Sequence, residues 1–73
     1  MDRITCEVME HIGTIGENRR GWALEVNIVA WNGAGPKYDI RHWNDDHSEM
    51  TKGVTLTEEQ ARALAGVLKG RFE

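Results

Sequence analysis

Lys37, Asp39, Arg41 and Trp43 occupy every second position of the segment Lys37–Trp43. In a strand that spacing puts these four side chains on one face and Tyr38, Ile40 and His42 on the other. Two cations and an indole on one strand face can neutralise phosphate charge and stack on a flat ring. An acidic turn follows, and then Met50-Thr51-Lys52-Gly53-Val54-Thr55-Leu56, which returns a third cation to the neighbourhood. Each residue also has a plainer reading. Arg41 can fork onto a phosphate or stack on a base, or it can pair with Asp39 or Glu25 across the sheet. Trp43 can stack a base, or fill a core or a dimer contact. Lys37 and Lys52 either neutralise phosphates or stand solvated at the surface. Arg19 and Arg20 lie in a turn able to close over a bound strand, or are merely solvated there.

Other chemistry is scarce. Cys6 alternates with Ile4 and Val8, which reads as a small core residue, and no cation in sequence is placed to activate its thiol. His11, His42 and His47 have no metal-ligand spacing, and His42, sharing parity with Tyr38 and Ile40, reads as a core histidine. Asp45-Asp46-His47-Ser48-Glu49 lacks the alternating ligands and central glycine of an EF-hand loop and reads as a solvated turn. The chain has neither a phosphate-cradling glycine loop nor a nucleophile motif. No catalytic residue, cofactor, metal or small-molecule substrate is expected.

Four strands and a helix must position the Lys37–Trp43 face. Ile4, Cys6 and Val8 alternate with Arg3, Thr5 and Glu7, a half-buried strand running on towards Ile15. Gly16–Gly21 is a turn bracketed by glycines. Trp22–Trp31, rich in β-branched and aromatic residues, is a second strand. Trp22 shares parity with the apolar set Leu24, Val26 and Ile28, which looks like core, and Trp31 with Glu25, Asn27 and Val29. Both tryptophans read as structural before ligand-binding. Asn32-Gly33-Ala34-Gly35-Pro36 turns the chain, with Asn-Gly suited to positive φ. Lys37–Trp43 is the third strand, Asn44–Met50 an exposed turn and Lys52–Leu56 a short fourth strand. Thr57-Glu58-Glu59-Gln60 is a capping box, and Ala61, Leu64, Ala65, Leu68 and Phe72 form the stripe of a C-terminal helix. The fold class is α+β: a four-stranded antiparallel sheet followed by one helix, which cannot cover both faces of that sheet.

With 73 residues the chain, read as residues 1–73, makes a single domain whose core supplies little net stability. One cysteine excludes an internal disulfide, so self-association is the expected stabiliser. Met1-Asp2-Arg3 does not read as a signal peptide and no apolar run is long enough for a bilayer, so a reducing cytoplasm and no membrane are expected. The net charge of −3 is uneven: residues 1–18 sum to −3, 19–43 to +2 and 44–73 to −2. The one basic segment also holds all three tryptophans, Trp22, Trp31 and Trp43. Local field governs contact more than the total does.

The residues from Lys37 to Arg41, Trp43, Asp46-His47, Met50 and Lys52-Gly53-Val54-Thr55-Leu56-Thr57-Glu58-Glu59-Gln60, in this order, resemble the positive cofactor four C-terminal domain family. That family comprises transcriptional coactivators and bacterial single-stranded-DNA-binding relatives. Glu17-Asn18, Gly21-Trp22, Glu25, Asn27, Val29 and Trp31-Asn32 resemble its bacterial YdbC-like branch, and the likeness spans roughly residues 6–68. The resemblance implies a curved ββββα unit forming a homodimer through its helix and last strand, with Leu64, Leu68 and Phe72 at the contact. It also implies sequence-nonspecific binding of single-stranded DNA, or RNA, with Arg41 in the place of the signature arginine of the third strand. Trp43, Lys37, Lys52, Arg19, Arg20, Trp22 and Trp31 are the further candidate contacts. Transcription regulation or DNA replication and repair would be the process, with nucleoid association in a bacterium. Two departures stand out. The chain has His42-Trp43 where relatives carry two successive aromatics, and Leu24, Asn27 and Ile28 where relatives often carry cations. Fewer cations predict lower affinity and a shallower salt dependence. The competing reading is a protein-interaction module on the same scaffold, using the sheet or the edge of its fourth strand.

Overall fold

The computed structural model describes residues 5–73. The Met1-Asp2-Arg3 start and Ile4, the first residue of the alternating pattern, lie outside the described residues. Four strands, β1 (Cys6–Glu17), β2 (Ala23–Trp31), β3 (Lys37–Trp43) and β4 (Val54–Leu56), precede one helix, α1 (Glu58–Phe72). They form an antiparallel sheet in the order β1-β2-β3-β4. The α+β, ββββα architecture expected from the sequence is present.

Local chemistry sets each connection. Asn18 accepts from the Arg20 and Trp22 amides through its side chain, and Gly21 closes that turn at φ 80°. Asn32 and Gly33 take φ of 51° and 77°, the left-handed region that Asn and Gly tolerate best. Asn32 also ties the turn to the residue just before β1, its side-chain oxygen accepting from the Thr5 amide at 2.8 Å. The capping box forms at α1: Thr57 Oγ1 accepts from the Gln60 amide and Gln60 Oε1 from the Thr57 amide.

Register divides the sheet into two faces. Glu25 lies opposite Arg41, Asn27 opposite Asp39 and Ala23 opposite Trp43, on the face away from the helix. Val26 and Ile40, with Ile28 and Tyr38, lie on the helix face. The apolar parity Leu24, Val26 and Ile28 was expected to be the core, but these residues are only half-buried. The buried residues Glu25, Asn27, Val29, Asp39 and Trp43 all belong to the opposite face. The reason is reach. Helix α1 touches β3 and β4 and buries none of its own residues, whereas long side chains fold down over the other face.

Strand β1 departs from simple alternation. Register shifts fall between Val8 and Glu10, His11 and Gly13, and Thr14 and Gly16, leaving Met9, Ile12 and Ile15 as extra residues three apart. Such bulges bend a strand and increase its twist. Cys6, expected in the core, is exposed, because it sits on this edge strand with no layer above it. His42, also expected in the core, is half-buried, its amide donating to Thr51 Oγ1. The fourth strand is shorter than expected: Trp43 bridges to Met50, and Lys52 and Gly53 lie outside the ladder.

Gly53 has a specific task. A β-carbon there would run into the Ile40 carbonyl oxygen and the Arg41 β-carbon, so only glycine lets the chain cross β3 this closely. Gly53→Ala is therefore expected to destabilise the fold by about 1–3 kcal/mol, the cost of forcing extra volume into a packed contact. A urea unfolding curve with an unshifted midpoint would refute this account.

Candidate nucleic-acid interface

The expected ligand residues divide between the two ends of β2. At one end Arg41 is held from three sides. Its Nε and Nη2 donate to Asp39 Oδ1 and Oδ2 at 2.6 and 2.8 Å. Its Nη1 reaches the Thr51 carbonyl at 3.4 Å, and its Cζ lies 4.5 Å from the centroid of the Trp31 ring. Asp39 is fully buried and the Arg41 side chain is 12% exposed. A forked, desolvated pair of this kind is strong and fixed in geometry, and the guanidinium on the indole face adds a cation–π contact. Trp31, Arg41 and exposed Lys37, with Asn32 and Thr55, line an open groove of about 440 Å³. The indole N–H of Trp31 is buried without an acceptor, a donor left unspent beside that groove.

At the other end Arg20 lies 5.1 Å from the ring centroid of Trp22, facing Asp45 and Asp46 across a recess of about 270 Å³. Hydrogen bonds from the Ser48 hydroxyl and amide hold the Asp46 carboxyl below its ordinary range. Arg19 is exposed in the same turn, and Lys52 is exposed beyond β3. The two recesses have no lining residue in common, so Arg20 and Trp22 do not share a pocket with Arg41.

Between the ends lies a polar cluster that spacing alone did not single out. His47 Nε2 donates to both Glu25 oxygens, at 2.9 and 3.0 Å, and Asn27 Nδ2 donates to Glu25 Oε1 at 3.0 Å. A carboxylate only accepts, so Asn27 turns its oxygen to His11 Nδ1 at 2.7 Å. Burial pushes the Glu25 carboxyl up, but hydrogen bonds from His47 and Asn27 and the charges of His47 and His11 outweigh it. The group is held below its ordinary value. Among the described residues no group of His, Cys, Asp and Glu is arranged to hold a metal ion.

Trp43 was expected on the ligand-facing side and is on that face, but it is 3% exposed, with the His47 ring 5.1 Å away. Its indole is part of the floor and presents no free ring for stacking. Gly53, His11, Glu25, Asn27 and His47 were missed as site residues. Glu25 and Asn27 share strand parity, but no spacing links them to His11 or His47, because β1, β2 and the loop after β3 meet only in the folded sheet.

The Transcriptional Coactivator p15 (PC4) family matches residues 18–67, which include both ends of β2, the Arg41 clamp and most of the helix. The chain belongs to this family. A protein of Treponema pallidum (strain Nichols), described as uncharacterized, is similar to it, 47% identical over 67 residues that cover 92% of this chain and 79% of the relative. In this PC4-family chain the clamp is built from the Asp-Ile-Arg run and the glycine after Lys52, which the sequence resemblance rested on. Among the described residues no helix is long and apolar enough to cross a membrane.

Asp39→Asn removes the charge that Arg41 leans on while keeping the shape. Breaking one side of a buried pair costs on the order of 3 kcal/mol. We expect a loss of that size in chemical denaturation, with Trp31 becoming more accessible to iodide quenching. Wild-type stability in this variant would show the clamp to be ornamental.

Proposed function

We propose that the chain is a non-enzymatic, sequence-nonspecific binder of single-stranded DNA or RNA, acting as a homodimer. The observation that carries this is the Arg41–Trp31 platform: an indole pinned by a clamped guanidinium, opening on a groove with Lys37 at its rim. A flat ring already held in place loses little freedom when a base stacks on it, and unpaired bases alone present free faces. Because Asp39 occupies the Arg41 fork, the roles separate. Trp31, with Trp22 at the far end, takes the stacking. Lys37, Lys52, Arg19 and Arg20 take the phosphates. Arg41 holds Trp31, and Trp43 supports the floor. The cytoplasm, with the nucleoid in a bacterium, and transcription regulation or DNA replication and repair are the settings that fit this activity.

Intrinsic tryptophan fluorescence titrated with an oligothymidine strand, beside a matched duplex, tests this reading. Quenching by the single strand alone is expected, with Trp31→Ala weakening binding about tenfold, within the range for one lost base stack. Lys37→Ala is expected to lower the salt slope by about one. No response at about 50 mM salt with micromolar protein would sink the proposal and leave the protein-interaction reading.

The homodimer is supported by the other face. Ile12, Ile15, Val26, Tyr38 and Ile40 form an apolar groove of about 350 Å³ with Leu64 and Leu68 of the helix. Leu64, Leu68 and Phe72 are 39, 46 and 81% exposed, more apolar surface than a solitary small domain usually leaves open. Phe72 stands outside the groove, at the helix end. In sedimentation we expect a dimer at micromolar concentration, shifted to monomer by Leu68→Glu. A wild-type monomer under those conditions would refute this assembly.

A further inference from the structure

The Glu25 cluster occupies the middle of the face proposed to carry a polyanion, and its charge is wrong for that task at neutral pH. Glu25 faces His11 from β1, Arg41 and Asp39 from β3, and His47 from the loop after β3. Asp39 and Arg41 cancel each other at 2.6 Å, leaving the buried carboxylate of Glu25 as the net charge of this floor while both imidazoles are neutral. Lys37 and Glu17 stand farther out along the same face, opposite Val29 and Ala23. The histidine side chains are 51 and 42% exposed, so both are open to solvent on the side a strand would approach. Val8, His11, Glu25 and His47 enclose a recess of about 260 Å³ there.

We propose that this His11–Glu25–His47 triad makes single-strand binding proton-linked, with protonation of the imidazoles converting an anionic floor into one that accepts phosphates. Imidazole is the side chain whose charge changes between pH 5 and 8. A phosphate lying over a ring that is hydrogen-bonded to the Glu25–Asn27 pair favours the protonated form of that ring. By linkage, a strand that binds the protonated form better must draw protons onto the protein. The carboxyl itself stays ionised through this range, held low by its hydrogen bonds. Binding therefore tightens as pH falls, without any change in the strand.

The inference rests on the single-strand reading, and one experiment separates the two. Oligothymidine is the probe, because its phosphates and bases keep their charge from pH 5.5 to 8. Its affinity is measured across that range at constant ionic strength, for wild type and for His11→Asn/His47→Asn. Asparagine suits position 47, where φ is 59°. We expect wild-type affinity to rise about tenfold from pH 8 to 5.5, well under the roughly 300-fold per proton that linkage permits over about 2.5 pH units. In the double variant most of that slope is lost, while circular dichroism shows the fold retained. Binding in unbuffered solution should also raise the pH for wild type and not for the variant. Wild-type binding that is flat with pH, or an equal slope in the folded variant, overturns the proton linkage and leaves the single-strand reading intact. Absence of binding at every pH overturns both. If the double variant fails to fold, the wild-type proton uptake decides: none measured on binding rejects the linkage.

Discussion

The Asp39–Arg41–Trp31 stack is the constraint on which the rest of the structure depends. A carboxylate with no solvent exposure is tolerable only when its charge is met and its oxygens are satisfied, and the Arg41 fork does both. The guanidinium then has one direction left for its flat face, and Trp31 lies against it. Gly53 completes the arrangement by letting the chain cross close over Ile40 and Arg41. Two strands and a loop are thereby locked around one planar group. The price is that Arg41 has little hydrogen-bonding capacity to offer a ligand directly.

This arrangement inverts the usual division of a small sheet domain. The polar parity of β2 and β3 is buried under its own long side chains, and the apolar parity is left partly open beneath a helix that covers only one side. Both halves of that inversion bear on function. A polar floor that is satisfied internally is rigid, which suits a surface that must present rings at fixed positions. An apolar face left open in a 73-residue chain is suited to a second copy, since one short core supplies little stability by itself. The bulges of β1, which bring Ile12 and Ile15 to that face and His11 to the other, serve both surfaces at once.

Charge explains why the face is not simply a weaker version of a basic one. The chain is acidic overall, and the middle of β2 brings Glu25 and Asn27 to this face with no cation between them. Those two residues are the links that join His11 to His47. A permanent cation at either place would hold phosphates at every pH. A carboxylate flanked by two imidazoles makes the field conditional.

Much of the architecture was legible in the residues. Strand period in Lys37–Trp43, the Asn-Gly turn and the Thr57–Gln60 capping box are local signals, set by backbone sterics and by partners a few residues apart. They specified the order ββββα and which side chains share a face. The ordered run from Lys37 to Gln60 was enough to point to the family. What parity could not decide was which face would be buried, because that depends on where a helix lands and how far long side chains reach. Cys6, His42 and the Leu24–Ile28 set were misjudged as core for that reason, and β1 lost its alternation to bulges that no single residue announces. The fork of Asp39 on Arg41, the exchange of Trp31 for Trp43 as the open ring, and the meeting of His11, Glu25 and His47 were decided only by tertiary structure. The fork joins neighbours on one face of β3 but is fixed by Trp31 and the Thr51 carbonyl, and the other two join groups from different strands or loops. Such contacts are set by register and curvature in space, which sequence spacing does not encode.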